Sequence, residues 1–366
     1  MSEWSQSTLA DLVTLQRGHD LPAHARREGT VPVVGSAGIS GTHDVALYEG
    51  PGVVIGRSGS SIGVASWVDE PYWPLNTGLF VKDFKGNDPA WIFRLLTMID
   101  FASFDSGSAQ PSLNRNYLGA IRVAVPPQRE QRGIAEVLGA LDDKIAANAF
   151  AHEAASRLAV ALAQSDQTVR LEQVADQVKG TVNPASFGAA LVDHFSLPAF
   201  DGGSGPEVVA GATIKSNKTR VAGNTVLISK LNPRFPRIWN VIQTDDSRPA
   251  LASTEFIPVT SKLIPSSVLW AALSAPGFAS ALESKVAGTS GSHQRVKPAD
   301  LLATEIADPR SLSAGAITSI VSLGQMRDAL MAQTGKLVAT RDALLPLLMS
   351  GKVKVKDAES VVGDVI

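Results

Sequence analysis

Cysteine is absent from the 366-residue chain, which excludes disulfides, thiolate metal sites and a cysteine nucleophile. The six histidines, His19, His24, His43, His152, His194 and His293, are scattered, and none pairs with another at the H-x-x-x-H spacing, so no bound metal is expected. No apolar run approaches the roughly 18 residues that would cross a bilayer. The opening residues, MSEWSQSTLADLV, lack the basic stretch and apolar run of a signal peptide, so a soluble cytoplasmic protein without a membrane role is expected. A basic excess is missing too: 33 Lys and Arg against 35 Asp and Glu leave a net charge of −2, and total charge gives nucleic-acid binding no support. There is no P-D-(x)n-[DE]-x-K and no carboxylate pair near a plausible metal site, so no catalytic residue is assigned.

What the chain does have is 44% hydrophobic side chains over a length that implies two domains. Between Glu130 and Gln164, Ile134, Val137, Leu138, Leu141, Ile145, Leu158 and Leu162 recur at three-and-four spacing, one face of a long helix. Pro126 and Pro127 stand just upstream, where a helix can begin. From about Ala314 to Ser350, Ile317, Ile320, Val321, Leu330, Leu337, Leu344 and Leu348 repeat the pattern, with Gly324 and Gly335 weakening it slightly. Each helix would be about 50 Å long, and neither is stable without a partner for its stripe. The intervening stretches carry short β-branched runs such as Val31–Val34, Val53–Ile55, Leu79–Val81, Thr225–Ile228 and Phe256–Val259, bounded by Gly, Pro, Asn and Ser. The order is globule, helix, globule, helix, which predicts a tandem repeat. Leu9–Val13 opens the first globule as Leu171–Ala175 opens the second, and Gly107–Gln110 precedes the first helix as Gly291–Gln294 precedes the second.

Charge is distributed unevenly. From Val208 to Gln243 there is no acidic residue, while Lys215, Lys218, Arg220, Lys230, Arg234 and Arg237 all fall there, a local basic stripe with Phe235 and Trp239 interleaved. Asn232-Pro233-Arg234-Phe235 resembles the N-P-P-[FY] motif of adenine methyltransferases, but Arg234 replaces the second proline and no glycine-rich cofactor turn precedes it. Gly35–Gly41 has G-x-x-G-x-x-G spacing rather than the dinucleotide-binding G-x-G-x-x-G and reads as a loop between strands. Gly56–Gly63 lacks the G-K-[ST] ending of a P-loop; Arg57 within it is either a phosphate or guanine contact or a cation on a solvated turn. Gln110, Asn114, Arg115 and Asn116 crowd the approach to the first helix, as His293, Gln294, Arg295 and Lys297 crowd the second, and amides and guanidiniums are the groups that read adenine and guanine.

Gly107-Ser108-Ala109-Gln110-Pro111-Ser112-Leu113-Asn114 leads into Ile121–Pro127, then Glu130-Gln131, Ile134-Ala135, Val137-Leu138 and Leu141-Asp142-Asp143-Lys144-Ile145. This PP-x-x-EQ-x-x-I-A-x-x-L-x-x-LD-x-K-I pattern resembles the central spacer helix of type I restriction-modification specificity subunits. Pro32–Gly41, Gly56–Gly59 and Asn76–Val81 are similar to that family's recognition domains. The second half departs from the pattern, since Ile306-Ala307-Asp308-Pro309 lacks the EQ pair. The resemblance implies two recognition domains, each reading half of an interrupted site in double-stranded DNA. It also implies two antiparallel spacer helices that dock two modification subunits, with ATP-driven restriction subunits joining the complex. S-adenosylmethionine and ATP would then be bound by the partners and no cofactor by this chain. Half-sites about a helical turn apart, roughly 34–36 Å, suit helices of this length.

The expected fold class is α/β (α+β), two globular target-recognition domains separated by two long antiparallel, coiled-coil-like helices in a pseudo-twofold tandem repeat. The expected boundaries are 1–127 and 167–309 for the domains, 128–166 and 310–350 for the helices, and 351–366 for a tail. The candidate DNA contacts are Arg57, Gln110, Asn114, Arg115, Lys215, Lys218, Arg220, Lys230, Arg234, Arg237, His293, Gln294 and Arg295. The helix contacts are Ile134, Leu138, Leu141, Ile145, Leu158, Leu162, Ile320, Leu330, Leu337, Leu344 and Leu348. Two other readings stay open: a helical assembly protein with protein-binding globules, and a self-contained adenine methyltransferase.

Overall fold

Gly52-Val53-Val54-Ile55-Gly56 forms a strand buried along its whole length, the outcome that a continuous apolar run between turn residues favours. The computed structural model describes residues 4–104, 113, 115–203, 205–285 and 294–366. Two units separate, Met1–Asp143 with Val338–Ile366, and Lys144–Leu337.

The first unit contains β1 (Ser5–Thr8), β2 (Thr14–Arg17), β3 (Val31–Gly35), β4 (Gly38–His43), β5 (Gly52–Gly56), β6 (Ala65–Val68), β7 (Trp73–Pro74), β8 (Gly78–Asp83) and β9 (Arg122–Val125). Its helices are α1 (Leu9–Leu12), α2 (Pro89–Met98), α3 (Arg115–Leu118) and the start of α4 (Gln128–Leu162). An antiparallel sheet runs β2-β8-β5-β6; a second runs β4-β3-β7, with β3 antiparallel to β4 and parallel to β7; β1 pairs with β9. The Gly35–Gly41 run is thus part of a β3–β4 hairpin, its turn closed by Gly38 at φ +92°. Helix α2 starts at Pro89, with the Asp88 carboxylate accepting from Trp91 N–H (2.9 Å), and packs its Trp91, Ile92 and Leu96 face into the core beside β5 and β6.

The PP-x-x-EQ pattern has a visible purpose. Gln131 is 2% exposed, and its amide donates to Asn87 Oδ1 (3.0 Å) and the Pro126 carbonyl (3.1 Å) while Oε1 accepts from Asp88 N–H (2.9 Å). One buried amide with three hydrogen bonds therefore ties the start of α4 to the start of α2. Asp142 of the LDD run accepts from Arg341 (3.1 Å) and pairs with Arg94.

The second unit contains β10 (Thr168–Arg170), β11 (Asp176–Gln177), β12 (Leu191–Phe195), β13 (Glu207–Ala210), β14 (Lys218–Val221), β15 (Thr225–Ser229), β16 (Ile238–Val241), β17 (Ala250–Ser253), β18 (Phe256–Thr260) and β19 (Glu305–Ala307). Its helices are α5 (Leu197–Gly202), α6 (Ser266–Leu273), α7 (Pro276–Glu283), α8 (Pro298–Leu302) and most of α9 (Ala314–Met349). The antiparallel sheet runs β11-β18-β15-β16; the other runs β13-β12-β17-β14, with β12 parallel to β17; β10 pairs with β19. Helix α6 is buried on every side, its first N–H taken by Asn224 Oδ1 (2.6 Å) and the Trp270 indole donating to the Ile238 carbonyl (3.0 Å).

Helices α4 and α9 stop short of the predicted 128–166 and 310–350. Residues 351–366 are more than a tail: Gly351 turns the chain at φ +69°, and α10 (Val355–Gly363) buries Ala358 and Val362. Ile134, Leu138, Leu141, Ile320, Leu337, Leu344 and Leu348 are buried, and Ile145, Leu162 and Leu330 partly so. Leu158 departs from the predicted stripe, being 51% exposed. The inward face of α4 continues instead through Asn148, Ala155 and Ala159, with Ala163 just past its end, and these keep the three-and-four rhythm with small or polar side chains. In the second unit Asn148 donates to Gln333 Oε1 (3.0 Å), and Arg327 Nε donates to Ser156 Oγ (2.7 Å), so these helix segments run antiparallel. The Arg327 guanidinium also lies 3.5 Å from the centre of the Trp270 ring. A cavity of about 520 Å³ opens beside this contact, lined among others by His152, Trp239, Asn240, Arg327 and Asp328.

Candidate nucleic-acid interface

The basic stripe separates once folded. Strand β16 buries all four of its residues, so Trp239 leaves the predicted surface group and joins Phe195, Phe200 and Phe256 in an aromatic core. Lys218 is also buried, 5% exposed, with its ammonium donating to Ser216 Oγ (2.6 Å) and the Ser216 carbonyl (3.0 Å); burial lowers its pKa. It is a structural lysine rather than a free surface cation. Lys215 and Arg220, on either side, are exposed.

The remaining cations gather where the β11-β18-β15-β16 sheet ends. Beyond β15, Lys230 N–H donates to the Glu255 carbonyl (2.8 Å) and the Lys230 carbonyl accepts from Val296 N–H (2.9 Å). Asn232, at φ +54°, donates its N–H to the Gln294 carbonyl (3.0 Å), and Leu231 bridges to Arg295. Two clusters some sixty positions apart, Lys230/Arg234/Arg237 and Gln294/Arg295, are stitched together by backbone hydrogen bonds. Lys230 Nζ donates to the Thr254 carbonyl (2.6 Å). Arg234 and Phe235 stand exposed at the tip, the guanidinium 5.6 Å from the ring centre, and Phe235 is 64% exposed. Lys218 reaches the same turn through its backbone, since it pairs with Ser253 in β14.

Two arginines carry partners that no basic-run reading anticipates. Arg237 donates from Nε and Nη2 to the two carboxylate oxygens of Asp201 (2.6 and 2.9 Å), which holds the Asp201 carboxyl below its usual range and raises the guanidinium pKa. Arg295 makes the same two-pronged contact with Glu255 (3.2 and 3.2 Å). Asp201 and Glu255 lie 36 and 40 residues from their arginines, so only the fold pairs them.

In the first unit, Arg57 follows β5 directly. Its N–H donates to the Thr77 carbonyl (3.0 Å) and its carbonyl accepts from Leu113 N–H (3.0 Å). The glycines around it answer to packing: a Cβ on Gly56 would sit 1.9 Å from the Ser61 carbonyl oxygen, and one on Gly63, at φ +79°, 2.7 Å from Phe101 Cβ. Arg115 opens α3; Gln110, Asn114 and His293 lie outside the described residues. Among the described residues no group of acidic or histidine side chains could hold a metal ion, and no helix is long and apolar enough to cross a membrane.

Residues 1–153 match the family model described as Type I restriction modification DNA specificity domain. The Type I restriction enzyme EcoprrI specificity subunit of Escherichia coli is 27% identical over 145 residues, 38% of this chain and 36% of that protein. The chain thus spans about a third of the length of that curated relative, as the 36% coverage states. Among solved structures, the S subunit of a type I restriction-modification system from M. genitalium is similar in fold, with a TM-score of 0.67 at 15% identity over 94% of this chain and 96% of the other.

Proposed function

We propose, from the premise that residues 1–153 form a type I restriction-modification DNA specificity domain, that the whole chain is the non-catalytic sequence reader of such a complex. In this reading each unit contacts one half of an interrupted site in double-stranded DNA. Helices α4 and α9 act as spacers and dock two modification subunits. The modification subunits bind S-adenosylmethionine and methylate adenine, ATP-driven restriction subunits join them, and the complex works in the cytoplasm.

The observation that carries this reading is that the hydrogen-bonding scheme of the matched unit recurs in the unmatched one. The sheet orders correspond: β2-β8-β5-β6 with β11-β18-β15-β16, and β4-β3-β7 with β13-β12-β17, the latter two sharing a parallel pair at the same place, while β14 at the edge of the second unit's sheet has no counterpart. Leu9 N–H meets the Ile121 carbonyl (2.8 Å) as Leu171 N–H meets that of Thr304 (3.0 Å). Arg57, held between Thr77 and Leu113, corresponds to Lys230, held between Glu255 and Val296. This supports a tandem repeat and puts one cation at the same sheet end in each unit. Exposed Lys215, Arg220 and Arg234 then suit phosphates, which give affinity without sequence.

The test is DNA binding by the chain with its modification subunit across a salt series. Arg234→Ala and Lys215→Ala should each flatten the log–log salt slope by about 0.9. Lys218→Met should leave it unchanged. A native slope near zero, with no preference among competing duplexes, would end the DNA-reading hypothesis.

A further inference from the structure

We infer that Arg237 and Arg295 are guanine-reading residues, each braced by its carboxylate, Asp201 or Glu255, so that its outer edge is presented to the base. The inference rests on the DNA-reading function proposed above and assigns particular side chains and a base to it.

The geometry of the two pairs is the same. Each carboxylate takes the Nε and Nη2 edge of its guanidinium. A guanidinium has five N–H donors in a rigid fork, so that contact leaves both hydrogens of Nη1 and one of Nη2. Among the described residues no acceptor meets Nη1 of either arginine, and neither Nη1 is a buried orphan. The free end edge, two parallel donors, matches the O6 and N7 acceptors of guanine in the major groove. The carboxylate fixes the plane of the fork before DNA arrives, so less side-chain freedom remains to be lost on binding.

Charge separates this role from phosphate binding. A guanidinium already neutralised by a carboxylate releases few counterions when it meets a phosphate, and the carboxylate itself is repelled by the backbone. Beside a base pair the same carboxylate is tolerated, because the exocyclic amine of cytosine is a donor to acidic side chains. The cations without a carboxylate, Lys215, Arg220 and Arg234, are the ones suited to phosphate. Both braced arginines belong to the backbone-stitched cluster: the Arg237 carbonyl accepts from Ser229 N–H (2.9 Å), and Glu255 and Arg295 flank Lys230 and Leu231.

The experiment selects a randomised duplex library on the chain bound to its modification subunit and compares native protein with Arg237→Lys, Arg295→Lys, Asp201→Asn and Glu255→Gln. Lysine keeps the charge and loses the fork. Each lysine variant should lose about tenfold in preference for guanine at one position, the same position affected by its partner's amide variant. Affinity for unrelated duplex and the salt slope should stay within about twofold of native, and native-like thermal unfolding of the amide variants separates misfolding from lost readout. Unchanged motifs in both lysine variants, or a loss spread evenly over all positions, would overturn the assignment. A native chain that enriches no motif would overturn the DNA-reading function as well, before any variant is compared.

Discussion

Replacing Asp328 by Asn should stabilise the folded chain at neutral pH. Asp328 lines the cavity beside α9, and among the described residues no salt bridge includes it. Burial pushes its carboxyl from 3.8 up to about 6, with the charge of Arg327 pulling partly the other way. A group with a raised acid pKa binds its proton more tightly in the folded state than in the unfolded one. Stability therefore falls as pH rises through the window from about 4 to 6, and the full penalty is present above it. Two pH units at 1.36 kcal/mol each amount to about 3 kcal/mol. Asparagine has no charge to bury but needs its own hydrogen bonds, so a gain of about 1–3 kcal/mol is expected at pH 7.5, shrinking toward zero near pH 4. Urea unfolding of both chains from pH 4 to 7.5 measures this, and taking the difference at each pH cancels groups common to both, including nearby His152 and Glu153. A variant no more stable than the native chain at pH 7.5, or a difference flat across the window, would show that the carboxylate is not paying a burial cost.

The helix face of α4 offers a paired check by thermal unfolding. Leu158→Lys should change stability by no more than about 0.5 kcal/mol, because the side chain already faces water, whereas Ala159→Leu should cost about 1–3 kcal/mol by overfilling a site that is 1% exposed. Gly324→Ala should destabilise by a similar amount, about 1–3 kcal/mol, although alanine is the better helix former. Its Cβ would lie 2.2 Å from Ser267 Oγ and 2.8 Å from Ser267 Cβ on the buried helix α6, and an unchanged midpoint would mean that α6 yields more easily than its burial implies.

Legibility followed the physics of each feature. The start of α4 was readable because proline, Gln131 and a leucine-isoleucine stripe all announce it, and the buried strands because their apolar runs are unbroken. Beyond Ile145 the stripe misleads at Leu158, which advertises a face it does not have, while Asn148, Ala155 and Ala159 hold inward positions without being strongly apolar. Helix α6 passed unnoticed because burial on all sides leaves no amphipathic rhythm to detect. The correspondence of the two units is carried by backbone bonds, which tolerate almost any side chain, so residues such as Arg57 and Lys230 mark it only once the bonds are known. The basic window was visible as composition, but which cations are buried, braced or free depends on Ser216, Asp201 and Glu255, and two of those lie outside it.

Asn148 is the polar member of an otherwise small and apolar inward face, and its amide reaches Gln333 and Thr334 on the opposing helix. Two smooth helices can slide past each other by a turn with little change in buried area; an amide in the seam turns that slide into a mismatch. Displaced by one turn, Asn148 would lose its partners while still shut off from water, at a cost of about 1–3 kcal/mol. The residue acts as an index mark between two rulers, contributing little attraction of its own but defining the zero from which every other contact along the pair is measured.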